Sequence, residues 1–211
     1  PKFIFSCIIV DMLGGVHMAF GTTDPKQEEA LIARAIKGDG AAFTELMSLH
    51  ETRMYAVALR MCANREDAQD CLQDAMLRVY RSISGFKGQS TFATWVYRIT
   101  MNTCLDELRR RKTRAATSLD TLLDSGWAPA DEGDVPERHA VASEQRRVLD
   151  AAIAELPEDM RSAVVLRDVQ GFSYDEISAM LEVNVGTIKS RISRGREKLR
   201  QILQENSELF N

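Results

Sequence analysis

Glycine and proline are scarce in this 211-residue chain, at 12 and 5 residues, where average usage would give about 15 and 11. Few turn-formers point to long helices with short connections. No stretch alternates apolar and polar residues as a half-buried strand requires, and no internal repeat is present. The four cysteines, Cys7, Cys62, Cys71 and Cys104, lack C-x-x-C spacing and are too sparse for a disulfide scaffold. Reduced thiols in a cytoplasmic protein are the expectation. His17, His50 and His139 are scattered, no glycine loop precedes a lysine to cradle phosphate, and no nucleophile stands beside a base. Neither an enzyme nor a cofactor nor a metal site is expected. No apolar run reaches the roughly 18 residues that span a bilayer, and Asp11 interrupts the run Phe3–Val10, so no membrane insertion is expected and residues 1–23 read as an irregular extension.

What is present is charge, at 27% of residues, beside 45% hydrophobic residues, which is enough apolar material for a core. The formal net charge of −4 has the wrong sign for a protein that grips DNA unaided, because phosphate neutralisation supplies most of that affinity. Any basic surface must be local. Residues 113–143 hold Arg114 and Arg138 against Asp120, Asp124, Asp131, Glu132, Asp134 and Glu137, so this segment alone accounts for the excess. The chain therefore divides into near-neutral pieces at 24–112 and 136–211, joined by an acidic flexible linker at 113–135.

Helical punctuation supports an all-α architecture of two small domains. Asp24-Pro25 opens a helix over about 25–37, with Gly38 as its stop. Asp39 opens a second, reaching Cys62, and Asn64 a third, in which Ala68, Cys71, Leu72, Ala75, Met76, Val79 and Ile83 keep helical spacing. The turn-rich Gly85–Ser90 segment precedes a fourth, which opens with Phe92, Trp95, Val96 and Ile99 and ends in the basic run Arg109–Lys112. In the second half a helix is broken by Pro157, another covers about 158–168 with Val164 and Val165 buried, and Ser173-x-x-Glu176 forms a capping box.

The last pair, 174–181 and 186 onward, has the form of a helix-turn-helix, whose second helix enters the major groove. Ile188, Ile192, Gly195 and Leu199 share one buried stripe, with Ser190, Ser193, Arg194 and Glu197 opposite and Lys189, Arg191, Arg196 and Arg200 at the flanks. Arginine and short hydroxyls suit base edges and phosphates; an amphipathic helix in an ordinary bundle is the alternative. A second signal lies in 80–112, where Tyr80, Phe86, Phe92, Trp95 and Tyr97 alternate with Arg81, Lys87, Arg98 and the 109–112 run. Aromatic faces beside cations stack single-stranded bases. For Phe92, spacing favours the core instead.

The segments Asp67–Met76, Phe86–Ile99 with Asn102, Leu156–Arg161, Gly171–Ile177 and Val185–Arg196, in this order across an acidic linker, resemble the extracytoplasmic-function group of bacterial sigma factors. That resemblance implies a region 2 domain binding core RNA polymerase and the melted minus-ten element, and a region 4 domain reading the duplex minus-35 element of promoter DNA, in a stress or envelope response. It implies a polymerase contact at Leu72, Gln73, Asp74 and Met76, with Met76 where the family usually has an aromatic and Asp74 where it has Glu. The minus-ten surface would comprise Phe86, Lys87, Gly88, Gln89, Ser90, Trp95, Asn102, Arg109 and Arg110, and the minus-35 surface Lys189, Ser190, Arg191, Ser193, Arg194 and Arg196. An anti-sigma partner and docking of the acidic linker in a basic channel of the polymerase are further implications. The alternative is a polymerase-independent helix-turn-helix regulator with an N-terminal sensor or dimerisation bundle.

Overall fold

The computed structural model describes residues 24–117 and 147–205, and these fall into two compact units, one in each range. The expected extension 1–23, the greater part of the expected linker and the expected second-domain start at 136 lie outside the described residues. Within the described residues the structure is helical, without strands.

Short polar side chains set the helix starts of the first unit. Asp24 accepts from the Lys26 amide at 3.1 Å with Pro25 at the first position, launching α1 (Pro25–Ile36). Asp39 accepts from the Ala42 amide at 3.0 Å and opens α2 (Gly40–Cys62). Each such cap contributes about 1 kcal/mol by satisfying an amide the helix leaves open. At the end of α2 the chain turns through Ala63 in the left-handed region, φ 58°, a conformation costing a non-glycine residue roughly 1–2 kcal/mol. Asn64 follows at once, accepting from the Glu66 and Asp67 amides at 2.8 and 3.4 Å, and starts α3 (Arg65–Ser82).

A 3-10 turn at Ile83–Gly85 leads through a loop with Gly88 at φ 67° into α4 (Phe92–Thr117). This helix continues five residues past Lys112, where the sequence points to a linker. No breaker stands before Gly126, the Thr113 hydroxyl donates to the Arg109 carbonyl at 3.1 Å, and Arg114 reaches Glu107 at 2.8 Å. Local hydrogen bonds of this kind carry a helix beyond its apolar stripe. Helix α2 packs against α1, α3 and α4, burying Leu46, Met54, Ala58, Met61, Ala75, Val79, Val96, Met101 and Cys104 almost completely. Each large side chain so buried contributes roughly 1.5–3 kcal/mol.

In the second unit, α5 (147–154) ends before Pro157. The Arg161 guanidinium closes the break by donating to the Ala154 and Leu156 carbonyls. α6 (Glu158–Val164) passes into a π turn at Val165–Val169, so the expected single helix over 158–168 changes its winding midway. The wider turn closes through Gln170 N–H to the Val165 carbonyl at 3.1 Å. α7 (Tyr174–Leu181) carries the Ser173/Glu176 capping box as expected, and α8 (Val185–Glu205) completes the unit. Its Ile188, Ile192, Gly195 and Leu199 stripe is buried against α6. The approach is close: a Cβ at Gly195 would lie 2.7 Å from Val164 Cγ2.

Candidate nucleic-acid interface

The turn between α7 and α8 is held from both sides. Glu182 adopts φ 55° at the end of α7, and the Ser178 hydroxyl donates to the Val183 carbonyl at 2.5 Å. Asn184 then accepts from the Thr187 amide and hydroxyl at 2.8 and 3.0 Å. This fixes the angle at which α8 leaves the turn. With one stripe buried, Lys189, Ser190, Ser193 and Arg194 are exposed together on the opposite side. Arg194 has no ion pair among the described residues.

The flanking arginines have other partners. Arg191 stands 3.3 Å from Asp159 of α6. Arg196 forms a forked pair with Asp168, Nε to Oδ2 at 3.0 Å and a second, shorter contact to Oδ1, and the Asp168 side chain is only 4% exposed. A guanidinium that neutralises a buried carboxylate is not free for bidentate reading of a base, so in this structure Arg196 braces Asp168 rather than standing open as Arg194 does. Tyr174 has a place that sequence spacing left unassigned. Its ring lies under Arg167 at 4.8 Å and Lys189 at 5.7 Å, joining the start of α7 to the basic face of α8. Apart from an aromatic at the start of a helix, the sequence carries no signal for it.

In the first unit the expected aromatic surface separates into two parts. Phe92 and Tyr97 are buried at 4% and 2% exposure; Phe92 is core as its spacing suggests, and Tyr97 is removed from the base-stacking set. Burial pushes the Tyr97 hydroxyl pKa up to about 12. Phe86 and Trp95 are half-buried with centroids 5.2 Å apart, and Phe86 meets Phe92 edge-on at 5.5 Å. Lys87, Gly88, Gln89 and Ser90 beside them are exposed. Thus one aromatic pair with open edges borders a solvent-facing loop. Asn102 is half-buried on α4. Arg109 and Arg110 make surface pairs with Asp106 and Glu107 at 3.5 and 3.4 Å, and such pairs are weak enough to yield to phosphate.

On α3, Gln73 and Asp74 are exposed and Met76 is half-buried. Leu72, at 9% exposure, is an anchor within the bundle rather than an open apolar contact. The exposed large apolar residues of α3 are Leu77 at 50% and Tyr80 at 58%, with Tyr80 propped edge-on by Phe43 at 5.0 Å. Leu77 lies one position off the buried stripe, and that displacement is the sequence signal for it. Gln73, Asp74 and Leu77 also border a groove of about 450 Å³ between α3 and α4.

Two family profiles match the two units: Sigma-70 region 2 over residues 46–114, and Sigma-70 region 4 over residues 146–199. The chain is 34% identical to the RNA polymerase sigma-H factor of Pseudomonas aeruginosa, over 85% of this chain and 95% of that protein. It belongs to the extracytoplasmic-function RNA polymerase sigma factors. Identity to the ECF RNA polymerase sigma-E factor of Escherichia coli is also 34%, over 82% of this chain and 92% of that one. Among solved structures it resembles the sigma factor RpoE of Bartonella quintana, crystallised with the anti-sigma factor NepR, with a TM-score of 0.63 and 26% identity over 77% of this chain and 96% of that one. As a sigma factor the protein directs core RNA polymerase to promoter DNA for transcription initiation, a regulatory rather than enzymatic role by family membership. Because the relatives cover both units, the alternative of a polymerase-independent regulator falls away. No helix among the described residues is long and apolar enough to cross a membrane.

Proposed function

We propose that the two units divide promoter recognition between them, as region 2 and region 4 domains around 24–112 and 136–211. In the second unit, Lys189, Ser190, Ser193 and Arg194 enter the major groove of the upstream element, with Arg194 reading a base edge and Lys189 a phosphate. Arg191 contributes charge at the rim, and Arg196 holds the scaffold. In the first unit, the Phe86–Ser90 loop and Trp95 receive an unstacked base of the minus-ten element, while Asn102, Arg109 and Arg110 line the path of its strand. Core polymerase binds the exposed edge of α3 at Gln73, Asp74, Leu77 and Tyr80, with Met76 half-buried beneath them.

The observation that carries this reading is Arg194, without an ion pair among the described residues, projecting with Ser190 and Ser193 from a helix whose opposite stripe is buried. An anti-sigma factor is the expected antagonist. The Bartonella relative was crystallised with one, and exposed apolar residues such as Leu77 and Tyr80 favour a covering partner when polymerase is absent. The acidic linker, docked in a basic channel, and a cytoplasmic location complete the proposal. Reconstitution with core polymerase on a genomic fragment library, followed by sequencing of run-off products, tests it. A shared upstream and minus-ten pair in the initiating fragments supports the division; initiation that ignores the upstream element ends the role given to α8.

A further inference from the structure

Three of the four cysteines converge, although their spacing along the chain gives no hint of it. Cys62 ends α2, Cys71 lies in the second turn of α3 and Cys104 midway along α4. All three are buried, at 7%, 2% and 0% exposure. Their sulfur atoms lie within 4.8 Å of one another, with Cys62 and Cys71 at 3.5 Å. Thiolates sharing one ion through metal–sulfur bonds of about 2.3 Å stand about 4 Å apart. The cluster already has that spacing. We propose that Cys62, Cys71 and Cys104 form a binding site for a thiophilic d10 ion, and that monovalent copper fits it best.

Donor chemistry and coordination number select the ion. Thiolates favour Cu⁺, Zn²⁺ and iron–sulfur clusters over harder cations. A structural zinc site takes four ligands, and no fourth His, Cys, Asp or Glu joins these three among the described residues. Three sulfurs in a buried site match a three-coordinate monovalent ion. Binding is balanced as Cu⁺ plus three Cys–SH giving a tris-thiolate complex of charge −2 and three protons released to solvent, with no electron transferred. Access exists as well. Cys71 lines the α3–α4 groove together with the carboxylate of Asp70.

The test uses the full chain, reduced and free of oxygen, with Cu⁺ presented as its coloured bathocuproine disulfonate complex. The expected result is withdrawal of one Cu⁺ per chain, unchanged by Cys7→Ser and reduced about tenfold or more by Cys71→Ser or Cys104→Ala. Far-UV circular dichroism establishes that each variant is folded, and X-ray absorption on the loaded wild-type protein should count three sulfur neighbours. Zn²⁺, offered in competition with a chromophoric chelator, should be held less tightly. The proposal is overturned if the reduced wild-type chain withdraws no copper, if a folded Cys71→Ser variant withdraws it as tightly as wild type, or if the absorption data show fewer than three sulfurs. Preference for zinc would overturn the choice of copper.

Discussion

Gly195→Ala sets two forces directly against each other. Glycine within a helix costs about 1 kcal/mol relative to alanine, so propensity alone makes the substitution stabilising. The structure opposes this. The added methyl would sit 2.7 Å from Val164 Cγ2 and 3.4 Å from Met160 Cβ, and real Cβ atoms do not tolerate the first distance. Val164 is 1% exposed and β-branched within α6, so its rotamer is fixed and α8 must move instead. Overpacking of this sort costs roughly 1–3 kcal/mol, and a contact this short belongs in the upper half of that range. The net effect expected is a loss of about 1–2 kcal/mol. Amide hydrogen exchange on α8 should then quicken by about 5–30-fold, with a matching weakening of initiation at promoters that depend on the upstream element. Val164→Ala alone also destabilises, by opening a cavity, yet the double variant should be more stable than the two losses predict by at least about 0.5 kcal/mol. Unchanged or slower exchange in Gly195→Ala would show that the crossing has slack and that the close approach does not set the position of α8.

Arg194→Ala should cost roughly 1–3 kcal/mol against one base pair of the upstream element and little against the others; run-off transcription on single-position promoter variants checks this, and a uniform loss would make Arg194 a phosphate contact. Phe86→Ala removes a stacking face worth about 1–3 kcal/mol, so permanganate reactivity of minus-ten thymines should appear more slowly while upstream-element binding holds; normal reactivity would return Phe86 to a packing role beside Trp95. Arg196→Ala leaves the nearly buried Asp168 carboxylate uncompensated and should cost roughly 2–3 kcal/mol, below the full range for a buried pair because Arg196 keeps part of its exposure; urea denaturation should show Asp168→Asn recovering stability in that background, and failure to recover would place the loss elsewhere. His50 stands 3.2 Å from Glu28, and burial, outweighing that carboxylate, holds its pKa below the ordinary 6.5. The unfolded chain therefore binds the proton more readily, so this stability is complete above the ordinary value and declines as pH falls below it. The urea midpoint of wild type, less so that of His50→Gln, should drop between about pH 8 and pH 5.

Much of this architecture was legible because its signals are local. Asp24, Asp39, Asn64 and the Ser173/Glu176 box each mark a helix start by a hydrogen bond within three residues, and the buried stripe of α8 follows from spacing alone. What escaped depends on contacts across the fold. The pairing of Arg196 with Asp168 joins residues 28 apart, and no helical wheel of α8 can show that one of its flanking arginines is committed. The change to π winding at Val165–Val169 is equally silent, because the same residues satisfy an α-helical period. Leu72 carries two signals. A family motif marks it as a contact, while its own position on the α3 stripe places it in the bundle. For cysteines, spacing in the chain is informative chiefly in loops. Helices bring thiols together through packing, which chain spacing does not encode.

The distribution of charge argues against a strong unaided grip on DNA. Helix α8 carries six basic residues between Gly186 and Arg200, a density that suggests a strong phosphate grip. Three have carboxylate partners: Arg191 with Asp159, Arg196 with Asp168 and Arg200 with Glu197. Lys189, Arg194 and Lys198 remain without an ion pair among the described residues. As long as these pairs hold, about three phosphates are neutralised, which gives a salt-dependence slope of only about −3 and little non-specific affinity near physiological ionic strength. In the first unit, Arg78, Arg109, Arg110, Arg111 and Arg114 likewise face Asp67, Asp106 and Glu107, which restrains their pull on distant phosphate. Recognition can then be specific without being strong. On the proposed division, each unit would contribute a few directed contacts, and anchoring both on one polymerase would raise their effective concentration at adjacent promoter elements, so that selectivity would appear at paired elements and not along DNA at large.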